Sequence, residues 1–153
     1  VERSRGLGDV YKRQIRGLHC PLCITYLKQM MKYMQTLKDI GVDYIAVSSD
    51  DKTRATQMLQ KVGSTEIRLA YDLEIAKAKE WDLFISKGRG KTSVGVDELD
   101  FFPEPGLFLI KPDKTIYSAY IQSIPFARPQ FEDIINSLNF IIDKKYPARG
   151  NIN

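Results

Sequence analysis

The chain has 153 residues, 43% hydrophobic and 27% charged, the balance of one globular domain able to bury its own core and not that of a disordered segment. Its net charge of +4 is spread along the chain, so no basic block marks a nucleic-acid partner, and no apolar run is long enough to span a bilayer. Cys20 and Cys23 are the only cysteines, which excludes a framework of long-range structural disulfides.

Residues 1–14 show neither helical nor alternating apolar periodicity, and they hold half of the net charge, with Arg3, Arg5, Lys12 and Arg13 against Glu2 and Asp9. They are similar to the translated sequencing-adapter peptide that ends Gly-Leu-Gly-Asp-Val-Tyr-Lys-Arg-Gln. They are expected to be a non-native leader outside the core, although a strand-like stretch from Val10 to Arg16 could be drawn onto the edge or centre of the sheet. The chain then divides into the leader 1–14, a domain over 15–143 and a polar tail over 144–153. On this reading any export signal or anchor of the genuine protein would be lost with its N-terminus, and the compartment expected is cytoplasmic unless such a signal existed.

Pro21 suits the first turn of a helix, and Cys23, Leu27, Met30, Met34 and Leu37 recur at three- and four-residue steps until Gly41, predicting one amphipathic helix. Tyr44 to Val47 reads as a strand buried on both faces. Asp50 and Asp51 can cap a helix whose stripe is Ala55, Met58, Leu59 and Val62, ending at Gly63. A short strand follows over Ile67 to Ala70, then a helical stretch from Asp72 toward Trp81. From Ile85 to Glu104, Gly88, Gly90 and Gly95 break every period, and an excursion or ordered loop is expected. Gly106 to Ile110 and Thr115 to Tyr120 form a hairpin about Pro112-Asp113-Lys114. A last helix begins near Pro129. This order predicts α/β architecture with a parallel portion and an antiparallel edge.

The chemistry lies in Cys20-Pro21-Leu22-Cys23. A helix N-terminus offers unsatisfied N–H groups and partial positive charge, both of which favour thiolate over thiol. Cys20 is expected to be exposed there, and Cys23, one turn in, less so. Zinc fits poorly because His19 is the only histidine, and no metal or organic cofactor is expected. His19 either tunes the thiolate by proximity or faces solvent. Inert burial of both thiols is the bland alternative.

Arg16-Gly17-Leu18-His19-Cys20-Pro21-Leu22-Cys23 resembles the segment leading into the active site of the AhpC/TSA (peroxiredoxin-like) family of the thioredoxin superfamily. The likeness continues in Ile45-Ala46-Val47-Ser48-Ser49-Asp50, in Tyr71 to Ala78 and in Pro105-Gly106-Leu107-Phe108-Leu109-Ile110-Lys111-Pro112-Asp113. The resemblance implies a thioredoxin-like fold, three-layer α/β/α with a mixed sheet, whose strand before the active-site helix is truncated to Ile15-Arg16. It also implies an oxidoreductase in which Cys20 attacks a hydroperoxide or disulfide substrate and Cys23 resolves the product. A dithiol reductant such as thioredoxin or a glutathione system would then restore the pair. Neither a nucleic acid nor a membrane is implied as partner.

Two departures from the family pattern shape the expectation. Gly17 stands where peroxiredoxins typically carry Thr or Ser, and Pro105 stands where they carry Arg and thioredoxins a cis-proline. Pro105 is therefore expected to be cis and beside the cysteines. Arg16 is either a substitute cation or a surface residue. Without the Thr and the Arg, peroxide is expected to react slowly relative to a disulfide. The rival reading is a redox-inert thioredoxin-fold interaction domain.

Overall fold

The computed structural model describes residues 10–150 and 152, and residues 10–14 by their backbone. In chain order its elements are β1 (Val10–Gln14), α1 (Pro21–Met31), α2 (Met34–Asp39), β2 (Asp43–Val47), α3 (Lys52–Val62), β3 (Leu69–Ala70), α4 (Ile75–Glu80), β4 (Ile85–Lys87), β5 (Phe101–Pro103), β6 (Gly106–Ile110), β7 (Ile116–Ile121) and α5 (Phe131–Lys144). The main sheet runs β3-β2-β1-β6-β7. β1, β2 and β3 pair in parallel, while β6 is antiparallel to both β1 and β7, so the sheet is mixed.

Period-two alternation in β6 sends neighbouring residues to opposite faces. Leu107 and Leu109 join the larger core with Leu27 and Met30 of α1, Met58 of α3 and Leu138 of α5. Phe108 and Ile110 face the other way, against Ala78 and Leu83, with Trp81 edge-on to Phe108 at 4.9 Å. Helices thus cover both faces in the three-layer thioredoxin-like arrangement.

The helix beginning at Pro21 is shorter than its periodicity predicts. At Lys32 and Tyr33 the N–H groups turn back to Gln29 and Met30, a tightened last turn that ends α1 before α2 starts. Tyr33 there stacks on Phe131, with ring centres 5.9 Å apart, so tertiary packing overrides a continuous apolar stripe. α3 follows its capping signals, with the Asp51 carboxylate accepting the Arg54 N–H and Gly63 in the left-handed conformation. The region expected to be an excursion contains the β4–β5 pair and a bridge between Lys91 and Asp97.

The centre of the sheet is taken by β1, the place allowed above for a strand-like stretch from Val10 to Arg16. Val10–Gln14 pairs residue by residue with Asp43–Val47 on one side and with Gly106–Ile110 on the other. Such pairing uses only backbone N–H and C=O groups, so a segment without an apolar pattern can occupy the centre. Ile15 continues the path, its N–H bonded to Val47 O at 2.8 Å. Residues 1–9 and the side-chain burial of Val10 and Tyr11 lie outside the described residues.

Candidate active site

The connection from β1 to α1 is fixed by a buried carboxylate. Asp50, just after β2, accepts the Leu18 N–H at 2.7 Å and pairs with Arg54 Nε at 2.8 Å. Burial raises the pKa of Asp50, and those two donors oppose the rise. Gly17 has φ +139°, and a Cβ built on it would lie 2.9 Å from Asp50 Oδ2. A side chain at position 17, such as the Thr that the resemblance would place there, would meet Asp50. Beyond Gly17, the Cys20 N–H bonds to Gly17 O at 3.0 Å, and the Thr92 hydroxyl reaches His19 O at 2.7 Å from the Ile85 to Glu104 region.

Cys20 is the N-cap of α1, its Sγ accepting the Cys23 N–H at 3.3 Å, and Pro21 occupies the first turn as expected. Both cysteines are reduced, and both are 0% exposed. The expected contrast, an exposed Cys20 and a covered Cys23, is not found, because the loop after β7 folds over both.

That loop brings in Arg128, which lies 108 residues from Cys20. Its Nη2 is 3.1 Å from Cys23 Sγ and 3.8 Å from Cys20 Sγ, and its Nε donates to Pro125 O at 2.9 Å. Arg128 Nη1 is buried without a hydrogen-bond partner among the described residues. Burial works against the guanidinium charge, and the Cys23 and Cys20 sulfurs outweigh it. Nothing in local spacing announces Arg128; the only signal is a lone arginine between Pro125 and Pro129 in an otherwise uncharged turn.

The two thiols share their protons unequally. The hydrogen bond to Cys23, then burial, then the Cys23 charge push the Cys20 thiol up. Burial pushes Cys23 up as well, but the hydrogen bond from Cys20 and the charge of Arg128 outweigh it and bring Cys23 well below an ordinary thiol. Arg128, nearer to Cys23 than to Cys20, favours one negative charge on the pair.

The other predicted residues fall elsewhere. His19 is fully buried, with its ring 4.6 Å from Phe102 and both ring nitrogens without a hydrogen-bond partner among the described residues. Burial, reinforced by Arg16, lowers its pKa to about 4, so it is neutral near pH 7 and lends the thiols no charge. The alternative that it faces solvent is also excluded.

Arg16 is neither a surface residue nor a free cation. It pairs with Glu104 at 3.0 Å and Glu98 at 3.7 Å, and it lies over the Phe102 ring. Pro105 is buried at the start of β6, but no cis peptide bond occurs among the described residues, which corrects the cis expectation. Its carbonyl accepts the Gln122 N–H at 3.0 Å. Beside α1, Leu22, Tyr26, Phe126 and Arg128 line a cavity of about 250 Å³. Among the described residues no group of three or more His, Cys, Asp or Glu side chains could hold a metal ion, and no helix is long and apolar enough to cross a membrane.

A search of curated proteins finds no match. Among solved structures, the chain is similar to a peroxiredoxin-like protein from Aquifex aeolicus, at 16% identity and TM-score 0.68, covering 89% of this chain and 73% of that one. Reduced Prx3 in complex with H2O2 from Vibrio vulnificus is 17% identical, with TM-score 0.66 and coverage of 85% and 80%. AhpC from Mycobacterium tuberculosis is 10% identical, with TM-score 0.69 and coverage of 92% and 73%. At these identities the likeness establishes the fold. Residues 15–119 match the model of the AhpC/TSA family, a span that includes both cysteines, Asp50 and Pro105. With over two thirds of its length in that match and a thioredoxin-like sheet around the cysteine helix, the chain belongs to the AhpC/TSA family of thiol-dependent oxidoreductases.

Proposed function

We propose that this protein reduces hydroperoxides, and disulfides by the same first step, through Cys20 with Cys23 as the resolving thiol. The observation that carries the reading is Arg128, whose guanidinium lies within 3.8 Å of both sulfurs and has no hydrogen-bond partner at Nη1. A cation there stabilises a thiolate, and the unpartnered N–H group can receive the oxygen that leaves when an O–O bond breaks. The site thereby regains, from the loop after β7, the cation that Pro105 displaces from the start of β6.

The pair shares one proton, which rests on Cys23 as the Cys20 sulfur attacks the terminal peroxide oxygen. Attack makes the Cys20 sulfenic acid, and the departing alkoxide takes the proton from Cys23 to leave as alcohol, or as water when the substrate is H2O2. Cys23, now a thiolate, attacks the Cys20 sulfur, forming the disulfide and releasing hydroxide, which a solvent proton converts to water. An external dithiol then reduces the disulfide and is itself oxidised. With a disulfide substrate the first product is a mixed disulfide, which Cys23 resolves by releasing the second thiol. Because both sulfurs are fully covered, a small hydroperoxide fits the closed site better than a protein disulfide, which needs the Arg128 loop to move.

Cys20→Ser should abolish turnover with hydroperoxide and dithiol. Cys23→Ser should give one oxidation per chain and a sulfenic acid trapped by dimedone. Equal residual turnover in the two variants overturns the assignment of roles. A wild-type pair with no reversible two-electron couple overturns the redox reading and favours the interaction domain.

A further inference from the structure

We propose that Tyr26 is a positioning residue for this reaction, holding Arg128 against the sulfurs through its hydroxyl and its ring; the proposal rests on the reading of Cys20 and Cys23 as the redox pair. Tyr26 stands on α1 one turn beyond Cys23 and is buried. It meets two consecutive residues of the opposite loop. Its hydroxyl donates to the Pro129 carbonyl, and the guanidinium carbon of Arg128 lies 5.4 Å from its ring centre. The ring also packs on Phe131, centres 4.5 Å apart, and so is held by the first residue of α5.

The need for such a post follows from how Arg128 is held. The charges acting on its guanidinium are those of the two sulfurs, and among the described residues no carboxylate pairs with it. Its Nε bonds to Pro125 in its own loop, and the Gln122 side chain donates to the Phe126 and Ala127 carbonyls at 2.6 and 3.0 Å. The loop is therefore one unit that carries Arg128 with it. The Tyr26 contacts tie that unit to α1 independently of sulfur charge, so they persist when oxidation to the disulfide removes the anion. An aromatic face under a guanidinium also limits its rotation.

Tyr26→Phe removes one oxygen and keeps the ring. The thiolate absorbance near 240 nm should titrate at higher pH, and the second-order rate with hydrogen peroxide at pH 7 should fall about three- to tenfold, the worth of one hydrogen bond. Made in an Arg128→Met background, the same change should cause no further fall, since its target is gone. A residue that only supports helix packing would instead cause equal fold-losses in both backgrounds. Tyr26→Leu, which removes hydroxyl and ring together, should show the same dependence on Arg128 and serves if Tyr26→Phe does not fold. An unchanged thiolate titration, or equal losses in the two backgrounds, overturns the proposal. Failure of the wild type to oxidise reversibly overturns the underlying reading instead, and the wild-type measurement separates the two.

Discussion

Gly17→Thr restores, by resemblance, the residue that peroxiredoxins typically place three positions before the attacking cysteine, and the structure predicts that it harms this protein. The new Cβ would meet the Asp50 carboxylate at 2.9 Å from Oδ2, 3.0 Å from Oδ1 and 3.1 Å from Cγ. Asp50 cannot swing aside cheaply, because it is fully buried and holds both the Leu18 N–H and Arg54. A side chain at φ +139° costs about 1–3 kcal/mol, and losing one hydrogen bond to a buried charge costs about 1.5–3 kcal/mol more. A loss of roughly 2.5–6 kcal/mol is a large part of the ~5–15 kcal/mol that holds a domain folded. Urea unfolding of Gly17→Ala and Gly17→Thr measures it. Alanine should incur most of the loss, since it carries the same Cβ. The peroxide rate of any folded Gly17→Thr should not rise, because Leu18 orients the turn into Cys20. Stability within about 1 kcal/mol of wild type, or a tenfold faster peroxide reaction, refutes this account.

Arg128→Met should raise the midpoint of thiolate formation, read at 240 nm, by roughly 1–3 pH units, because the cation 3.1 Å from Cys23 Sγ is lost; an unchanged midpoint would show that the helix terminus alone supports the anion. The His19 pKa is depressed from 6.5 to about 4, so the unfolded chain binds a proton that the folded one refuses. Its contribution is fully present above pH 6.5 and is lost as pH falls toward 4, by roughly 3 kcal/mol at 1.36 kcal/mol per pH unit. His19→Phe should remove that part of the acid loss and, by deleting two unpartnered buried nitrogens, should be more stable than wild type at pH 7. Urea midpoints at pH 7 and pH 4.5 check both statements, and parallel pH dependence in the two proteins would count against a neutral buried His19.

The local features that were legible carry their signal in a few adjacent residues. Pro21 after Cys20 marks a helix start, Asp51 and Gly63 bracket α3, and Pro112-Asp113-Lys114 turns β6 into β7. The i, i+3 spacing placed both cysteines on the first turn of α1, which the fold retains. The break at Tyr33 was not legible, because it answers to Phe131 at the far end of the chain.

By itself the sequence determined the fold class, the family and the position of the thiol pair, since caps, periodicities and the motif around Cys20 act over one or two turns. The tertiary structure alone decided the electrostatics of the site. Arg16, four residues before Cys20, is consumed by Glu104 and Glu98, whereas Arg128 reaches the sulfurs from more than a hundred residues away. It also decided that Gly17 must stay small and that His19 is neutral, because each depends on what packs against it. Charge and exclusion act through space, over a few ångströms that sequence separation does not measure.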